Sequence, residues 1–246
     1  MLTALRSYAF AAFLAVTLAI MGIVLLPVVL FGKAAARSIT KLWTRMGLAA
    51  LKWITGVSHH IEGAEHLPHG GALVAANHQS MWETLALYAL LPKPVMIFKA
   101  ELLRIPVYGW WVRAAGNIAV DRKGGAKALK AMRDAAFEAI ARGEQVIVFP
   151  EGTRVNIGET AAFLPGAAGI YQGAQAPCTP VAHDSGRFWR HPGVKLIPGD
   201  ITLRFLPAIA PGLDRKSFLR ELKTRIDGAR PDLVQNKSPG METTHG

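Results

Sequence analysis

A single cysteine, Cys178, stands among the 246 residues. That excludes an internal disulfide and a cysteine-rich zinc site, and it frees the fold from dependence on an oxidising compartment. No G-x-S-x-G elbow is present to present a nucleophilic serine. His59, His60, His66 and His69 cluster without H-E-x-x-H or another usual metal spacing, so no metal is expected. There is no internal repeat. Acidic residues are in the minority, 17 against 28 lysines and arginines, and the formal net charge is +11. Such a balance attracts an anionic partner, either nucleic acid or a phospholipid surface.

What is there in quantity is apolar sequence, 51% of the chain and ample for a packed core. From Ser7 to Gly32 the run "SYAFAAFLAVTLAIMGIVLLPVVLFG" carries no charge, and about 20 apolar residues suffice to cross a bilayer core. It exceeds a typical signal-peptide core and lacks an obvious A-x-A cleavage site, so a membrane-embedded segment is expected, with Pro27 able to kink it or turn it back. Beyond it, Lys33, Arg37, Lys41, Arg45 and Lys52 fall on one side of a helical wheel, opposite Ile39, Leu42, Trp43, Met46, Ala50 and Trp53. This pattern predicts a basic helix at an anionic membrane interface; an amphipathic helix packed on its own domain is the alternative. Basic residues beside membrane sequence favour membrane phospholipids over nucleic acid as partner. By the positive-inside rule they put the bulk of the chain in the cytoplasm, which places the protein at a cell inner membrane with its main domain on the cytoplasmic face.

From about Gly56 the pattern becomes α/β. Strands are predicted at Ala72–Ala76, Val95–Phe98, Asn117–Val120, Gln145–Phe149, Thr179–Ala182 and Ile201–Leu206. Helices are predicted at Glu83–Leu91, at Lys127–Arg142 with Leu129, Met132, Ala136 and Ile140 inward and Gly143 as its stop, and at Lys216–Gly228. Strands separated by helices imply a mixed, largely parallel sheet covered by helices. The expected organisation is a membrane anchor with a basic interfacial helix over 1–55, one domain over 56–228, and a flexible tail over 229–246.

Two loops that follow apolar strands carry reactive groups, where such sheets place their sites. In "NHQSMWE", His78 and Glu83 are five apart, about 140° on one helix, so contact requires His78 at the helix entrance rather than within it. Glu83 in the first turn can then fix one imidazole nitrogen and leave the other as a base able to take a proton from an alcohol. The plainer reading is a histidine satisfying loop backbone and a glutamate acting as a helix N-terminal charge. In "FPEGTR", Gly152 permits close backbone approach, Thr153 offers a hydroxyl and Arg154 a fork suited to phosphate. An ordinary turn is its alternative. Lys99, Arg104 and Arg122 are candidates to enlarge an anion pocket. Ser80 reads as a helix-start residue.

Taken together these residues resemble the glycerolipid acyltransferase family, in particular its bacterial lysophosphatidate acyltransferases. The first block is Asn77-His78-Gln79-Ser80-Met81-Trp82-Glu83, the second resembles Lys99-Ala100-Glu101-Leu102-Leu103 with Pro106, Gly109, Gly116 and Asp121-Arg122, the third is Phe149-Pro150-Glu151-Gly152-Thr153-Arg154, and the fourth looks like Thr179-Pro180-Val181-Ala182-His183. The resemblance implies acyl transfer from acyl-CoA or acyl carrier protein, as co-substrate, to the sn-2 hydroxyl of lysophosphatidate, with no cofactor. His78 would be the general base and Glu83 its orienting partner. Glu151, Gly152, Thr153 and Arg154 would hold the glycerol phosphate, helped by Lys99, Arg104 and Arg122, while backbone N–H groups at the helix start would meet the oxyanion. Two departures stand out: the family often has Asp where Glu83 stands, and Phe163-Leu164-Pro165-Gly166 lacks the lysine of F-K-x-G. Acceptance of another lysolipid, or lipid binding without turnover, are the rival readings.

Overall fold

The computed structural model describes residues 1–121 and 123–234. Apolar residues without a helix breaker form α1, Leu2–Val24. Pro27, with no N–H to continue the ladder, falls in a 3₁₀ turn, Leu26–Phe31, and Gly32 at φ 89° lets the chain reverse into α2, Lys33–Thr55. The apolar segment is therefore a hairpin.

The remaining elements alternate. They are β1 (Val57–Glu62), β2 (Ala72–Ala76), α3 (Trp82–Leu90), β3 (Pro94–Lys99), α4 (Tyr108–Ala114), β4 (Ile118–Val120), α5 (Gly125–Ala141), β5 (Gln145–Val148), α6 (Pro165–Ala174), β6 (Cys178–His183), β7 (Gly199–Phe205), α7 (Arg215–Ala229) and the turn-like α8 (Pro231–Val234). The strands make a seven-stranded sheet in the order β1-β7-β6-β2-β5-β3-β4. All pairings are parallel except β6 with β7, so the mixed, largely parallel α/β fold expected from the sequence is the fold observed. Alternating residues of β2 face opposite layers: Leu73 and Ala75 meet α5, α6 and α7, while Val74 and Ala76 meet α1, α2 and α3. Strands covered on both sides read as continuous apolar runs, as "ALVAA" does.

Several expectations are corrected. Strand β1 was not anticipated, since "VSHHIE" is polar for a strand; it is an edge with half-exposed side chains. Helices α4 and α6 were also unforeseen. Leu129, expected inward on α5, is 45% exposed, whereas Met132, Ala136 and Ile140 are buried. The cationic stripe of α2 is divided: Arg37 is buried and Lys41 half-buried against the domain, whereas Lys33, Arg45 and Lys52 are exposed. Arg37 is buried, bonds Glu144 Oε1 at 2.8 Å and reaches Ala115 O; Lys41 Nζ donates to Leu91 O at 2.6 Å and Pro92 O at 3.2 Å; Arg45 reaches Ala89 O. Lys41 and Arg45 satisfy carbonyls at the C-terminal end of α3, where the helix dipole favours positive charge. The apolar face of α2 is split: Trp43 Nε1 donates to Thr17 Oγ1 of α1 at 3.1 Å, and Trp53 is 84% exposed. The tail expected from 229 starts as buried structure, with Arg230 and Asp232 inside the domain; residues 235–246 lie outside the described residues.

Helix α1 touches the domain along most of its length. Ser7 Oγ accepts from Leu196 N at 3.0 Å, Phe10 meets Trp189 edge to face, and Gly22 O accepts from Trp111 Nε1 at 2.9 Å. Its other side exposes Leu2, Leu5, Tyr8, Val16, Ile20, Ile23 and Val24, continued by Leu30 and Phe31 at the hairpin turn.

Candidate active site

Parallel strands bring the ends that matter to one edge of the sheet. β6, β2 and β5 are neighbours; the loop after β2 leads to α3 on one face and the loop after β5 to α6 on the other, and the carboxyl ends between such loops are where open α/β sheets bind ligands. His78 sits in the loop at the entrance to α3, as the spacing requires. Its Nδ1 lies 2.7 Å from Glu83 Oε1, with the His78 side chain 16% exposed and that of Glu83 fully buried. The base is reachable and its partner is sealed.

Glu83 is held from several directions. Oε1 also accepts the N–H groups of Gln79 and Ser80, both at 2.8 Å, and Oε2 accepts the hydroxyls of Ser80 at 2.7 Å and Ser185 at 2.8 Å. Burial alone would raise its pKa; the hydrogen bonds from His78 and the Ser80 hydroxyl, with the charge His78 carries when protonated, outweigh burial and hold the carboxyl well below its ordinary value. An ionised Glu83 takes the Nδ1 proton of His78 as donor, which leaves Nε2 as the free lone pair. The Phe149 ring stacks on the imidazole at 4.2 Å and fixes its plane.

The neighbouring strand end supports the loop. Asn77 Nδ2 donates to His183 O and Asn77 Oδ1 accepts His183 N, both at 3.0 Å. His183 Nε2 lies 2.7 Å from Asn77 O and Ser185 N faces His183 Nδ1, so the proton is on Nε2. Burial lowers the His183 pKa and keeps this ring neutral.

The "FPEGTR" loop packs on the same loop. Val155 N donates to His78 O at 2.8 Å. Gly152 adopts φ 70°, and a Cβ there would collide with Leu164. Arg154 Nε donates to Ser80 O at 3.1 Å and Nη1 to His191 Nδ1 at 3.0 Å; Thr153 is exposed beside it. His191, pushed down first by its partial burial and then by Arg154, also feels Lys99, which ends β3 on this side of the sheet. Arg104 is exposed in the turn after β3, and Arg122 lies outside the described residues.

Glu151, expected among the acceptor's contacts, supports the His78 loop. It is buried, and its Oε2 accepts the N–H of His78 at 2.6 Å. Burial raises its pKa to about 8, against the hydrogen bond from His78 N and the charge of Arg230, so at neutral pH it adds little negative charge beside an anion site. The backbone donors expected for an oxyanion are also engaged: the N–H groups of Gln79 and Ser80 serve Glu83, and that of Trp82 serves Ser80 Oγ at 2.9 Å.

Residues 58–184, a little over half the chain, match the protein-family model described as Acyltransferase. The chain belongs to the acyltransferase family. Over 84% of its length this acyltransferase is 28% identical to the 1-acyl-sn-glycerol-3-phosphate acyltransferase of Pseudomonas aeruginosa, 80% of which is covered. To 1-acyl-sn-glycerol-3-phosphate acyltransferase alpha of Homo sapiens it is 32% identical over 67% of its length, spanning 59% of that protein. Its fold is similar to the crystal structure of the 1-acyl-sn-glycerophosphate acyltransferase PlsC from Thermotoga maritima, with TM-score 0.77 and 22% identity over 96% of this chain and 98% of the other.

Sequence reasoning missed several groups that shape the site of this acyltransferase. Ser185 and His191 come from the segment after β6 and carry no spacing signal toward position 83 or 154. Asn77 and His183 were visible only as members of blocks; the structure makes them a mutual clamp. His59 and His60 lie on opposite faces of β1, one against Trp82 and the other against Asp200 at 2.6 Å.

Proposed function

We propose that this acyltransferase moves an acyl group from an acyl thioester, on coenzyme A or acyl carrier protein, to the sn-2 hydroxyl of 1-acyl-glycerol-3-phosphate, making phosphatidic acid for phospholipid synthesis. The observation that carries the reading is the 2.7 Å contact between His78 Nδ1 and a sealed Glu83, which frees Nε2 at the reachable side of the ring. Nε2 takes the proton of the acceptor hydroxyl as its oxygen attacks the thioester carbonyl. The tetrahedral intermediate collapses, the C–S bond breaks, and the imidazolium returns the proton to the departing sulfur. Glu83 stays ionised and steadies the imidazolium. No protein nucleophile takes part. Arg154, with Lys99, Gly152 and Thr153, holds the phosphate, and Arg104 adds positive charge in the turn after β3; Arg122, outside the described residues, is assigned the same role on its place in the sequence alone. The P. aeruginosa and human relatives carry the name of this reaction.

The same reading gives the membrane its place. The exposed apolar side of α1 and the hairpin turn enter the lipid, while contacts at Ser7, Phe10 and Gly22 keep α1 along the domain. The hairpin thus rests in one leaflet of the inner membrane, with the active site on the cytoplasmic face. Purified protein given acyl-CoA or acyl carrier protein thioester and a panel of lysolipids, with products weighed by mass spectrometry, tests the proposal. Preference for the acceptor bearing a bare phosphate is expected, and His78→Ala should abolish turnover while leaving membrane association intact. Full activity in that variant would end the proposed mechanism.

A further inference from the structure

The catalytic loop is held from the far end of the chain. Arg230 and Asp232 follow α7, outside the residues the family model matches, and their side chains are 0% and 1% exposed. Arg230 grips Asp232 through Nε to Oδ1 at 3.1 Å and Nη2 to Oδ2 at 2.6 Å. Asp232 Oδ2 then accepts from two separate loops: from Gln79 Nε2, beside His78, at 3.1 Å, and from Gly158 N, four residues past Arg154, at 2.9 Å. The other end of the Gln79 amide, Oε1, accepts from Gly186 N at 3.1 Å in the turn after β6. Donor and acceptor demands at both ends of Gln79 allow one orientation of its amide.

A buried ion pair is a poor way to gain stability, because desolvation offsets most of the attraction. Its position accounts for it better. Three segments that bear on the reaction meet at this one amide–carboxylate contact, and none of them bonds directly to the arginine that holds it. The geometry points to Asp232, locked by Arg230, as a positioning residue that sets His78 relative to Arg154 by tying their loops together through Gln79 and Gly158. This rests on the acyl-transfer reading given above. A base must lie within hydrogen-bond reach of a hydroxyl whose phosphate is fixed elsewhere, so the spacing between the two loops enters the rate directly.

The test exchanges the polar groups. Gln79→Glu sets a carboxylate against Asp232; Asp232→Asn in the same chain can turn an amide N–H₂ toward that carboxylate, at the cost of the oxygen that serves Gly158 N. At neutral pH Gln79→Glu should lower kcat about 10- to 100-fold with little change in the acceptor's KM. The deficit should shrink as pH falls and the new carboxylate takes a proton. The double variant should recover only part of that loss, at least about threefold over Gln79→Glu, because the Gly158 tie stays broken. A readout independent of turnover is the ¹⁵N NMR titration of His78, which should shift in Gln79→Glu and move back toward the parent in the double variant. Wild-type kcat, pH profile and His78 titration in Gln79→Glu, whatever its melting temperature, would overturn the proposal, as would a double variant no better than the single. If the parent protein turns over no lysolipid, the acyl-transfer reading fails, and the His78 titration still decides the positioning role.

Discussion

Two buried glutamates next to one histidine have opposite fates, and hydrogen-bond donors decide which. Glu83 accepts from His78, from two backbone N–H groups and from two serine hydroxyls, and stays ionised. Glu151 accepts the His78 N–H, and burial carries its pKa to about 8. Unfolded, Glu151 loses its proton near the ordinary value of 4.5; between there and about 8 the folded state binds the extra proton. Its contribution to stability is therefore complete at low pH and disappears as pH rises through that window. Buried neutral His183 acts in the opposite direction below its ordinary value, but it is common to parent and variant. The thermal midpoint of Glu151→Gln, measured against the parent in detergent, should gain between about pH 5 and pH 8; a constant difference would show that Glu151 titrates normally. In the sequence, His78 and Glu83 were legible because both belong to one short loop. Ser185, His191 and Asp232 were not, since each reaches the site from a distant segment and its residue type is ordinary there.

At the scale of elements, α3 is gripped at both ends. Its first turn carries Glu83, and the carbonyls at its last turn meet Lys41 and Arg45 of α2. Arg37, one turn earlier on α2, is paired with Glu144 at the start of β5 with side chains 9% and 10% exposed. Arg37→Met leaves Glu144 its second partner, Arg142, at 3.0 Å, yet removes a buried charged contact and the link to Ala115 O. A loss of about 2–3 kcal/mol in denaturant unfolding is expected; a loss under about 0.5 kcal/mol, within the range of an ordinary surface change, would mean that α2 is not held there. The periodicity of α2 was plain in the sequence, but the contacts of Arg37, Lys41 and Arg45 were not, because their partners are carbonyls and a carboxylate from 44 to 107 positions away. β1 was missed for a related reason: an edge strand needs no apolar alternation, and "SHH" reads as loop. α6 had its signal in Pro165 at the first turn and buried Ala167, Ala168, Ile170 and Tyr171, hidden by small residues that look like turn chemistry.

At the scale of the molecule, the strongly apolar segment and the basic surplus cooperate. One face of the hairpin exposes Ile20, Ile23, Val24, Leu30 and Phe31; in the proposed arrangement this face meets lipid and the charge of +11 draws the domain toward anionic headgroups. The sheet and its order were expected in outline, since apolar runs and their separating helices lie in the sequence itself; the return of the chain at Pro27 and Gly32, and the packing of α1 back on the domain, depend on contacts made after folding. That packing bears on which bilayers the protein tolerates. A helix that crosses a membrane must match its hydrocarbon thickness or tilt, and mismatch costs free energy for every ångström. A hairpin lying along its own domain has no opposite leaflet to match. Association and turnover should therefore be flat across vesicles of short- and long-chain phosphatidylcholine carrying equal amounts of anionic lipid, and an optimum at one thickness would show that α1 leaves the domain and spans.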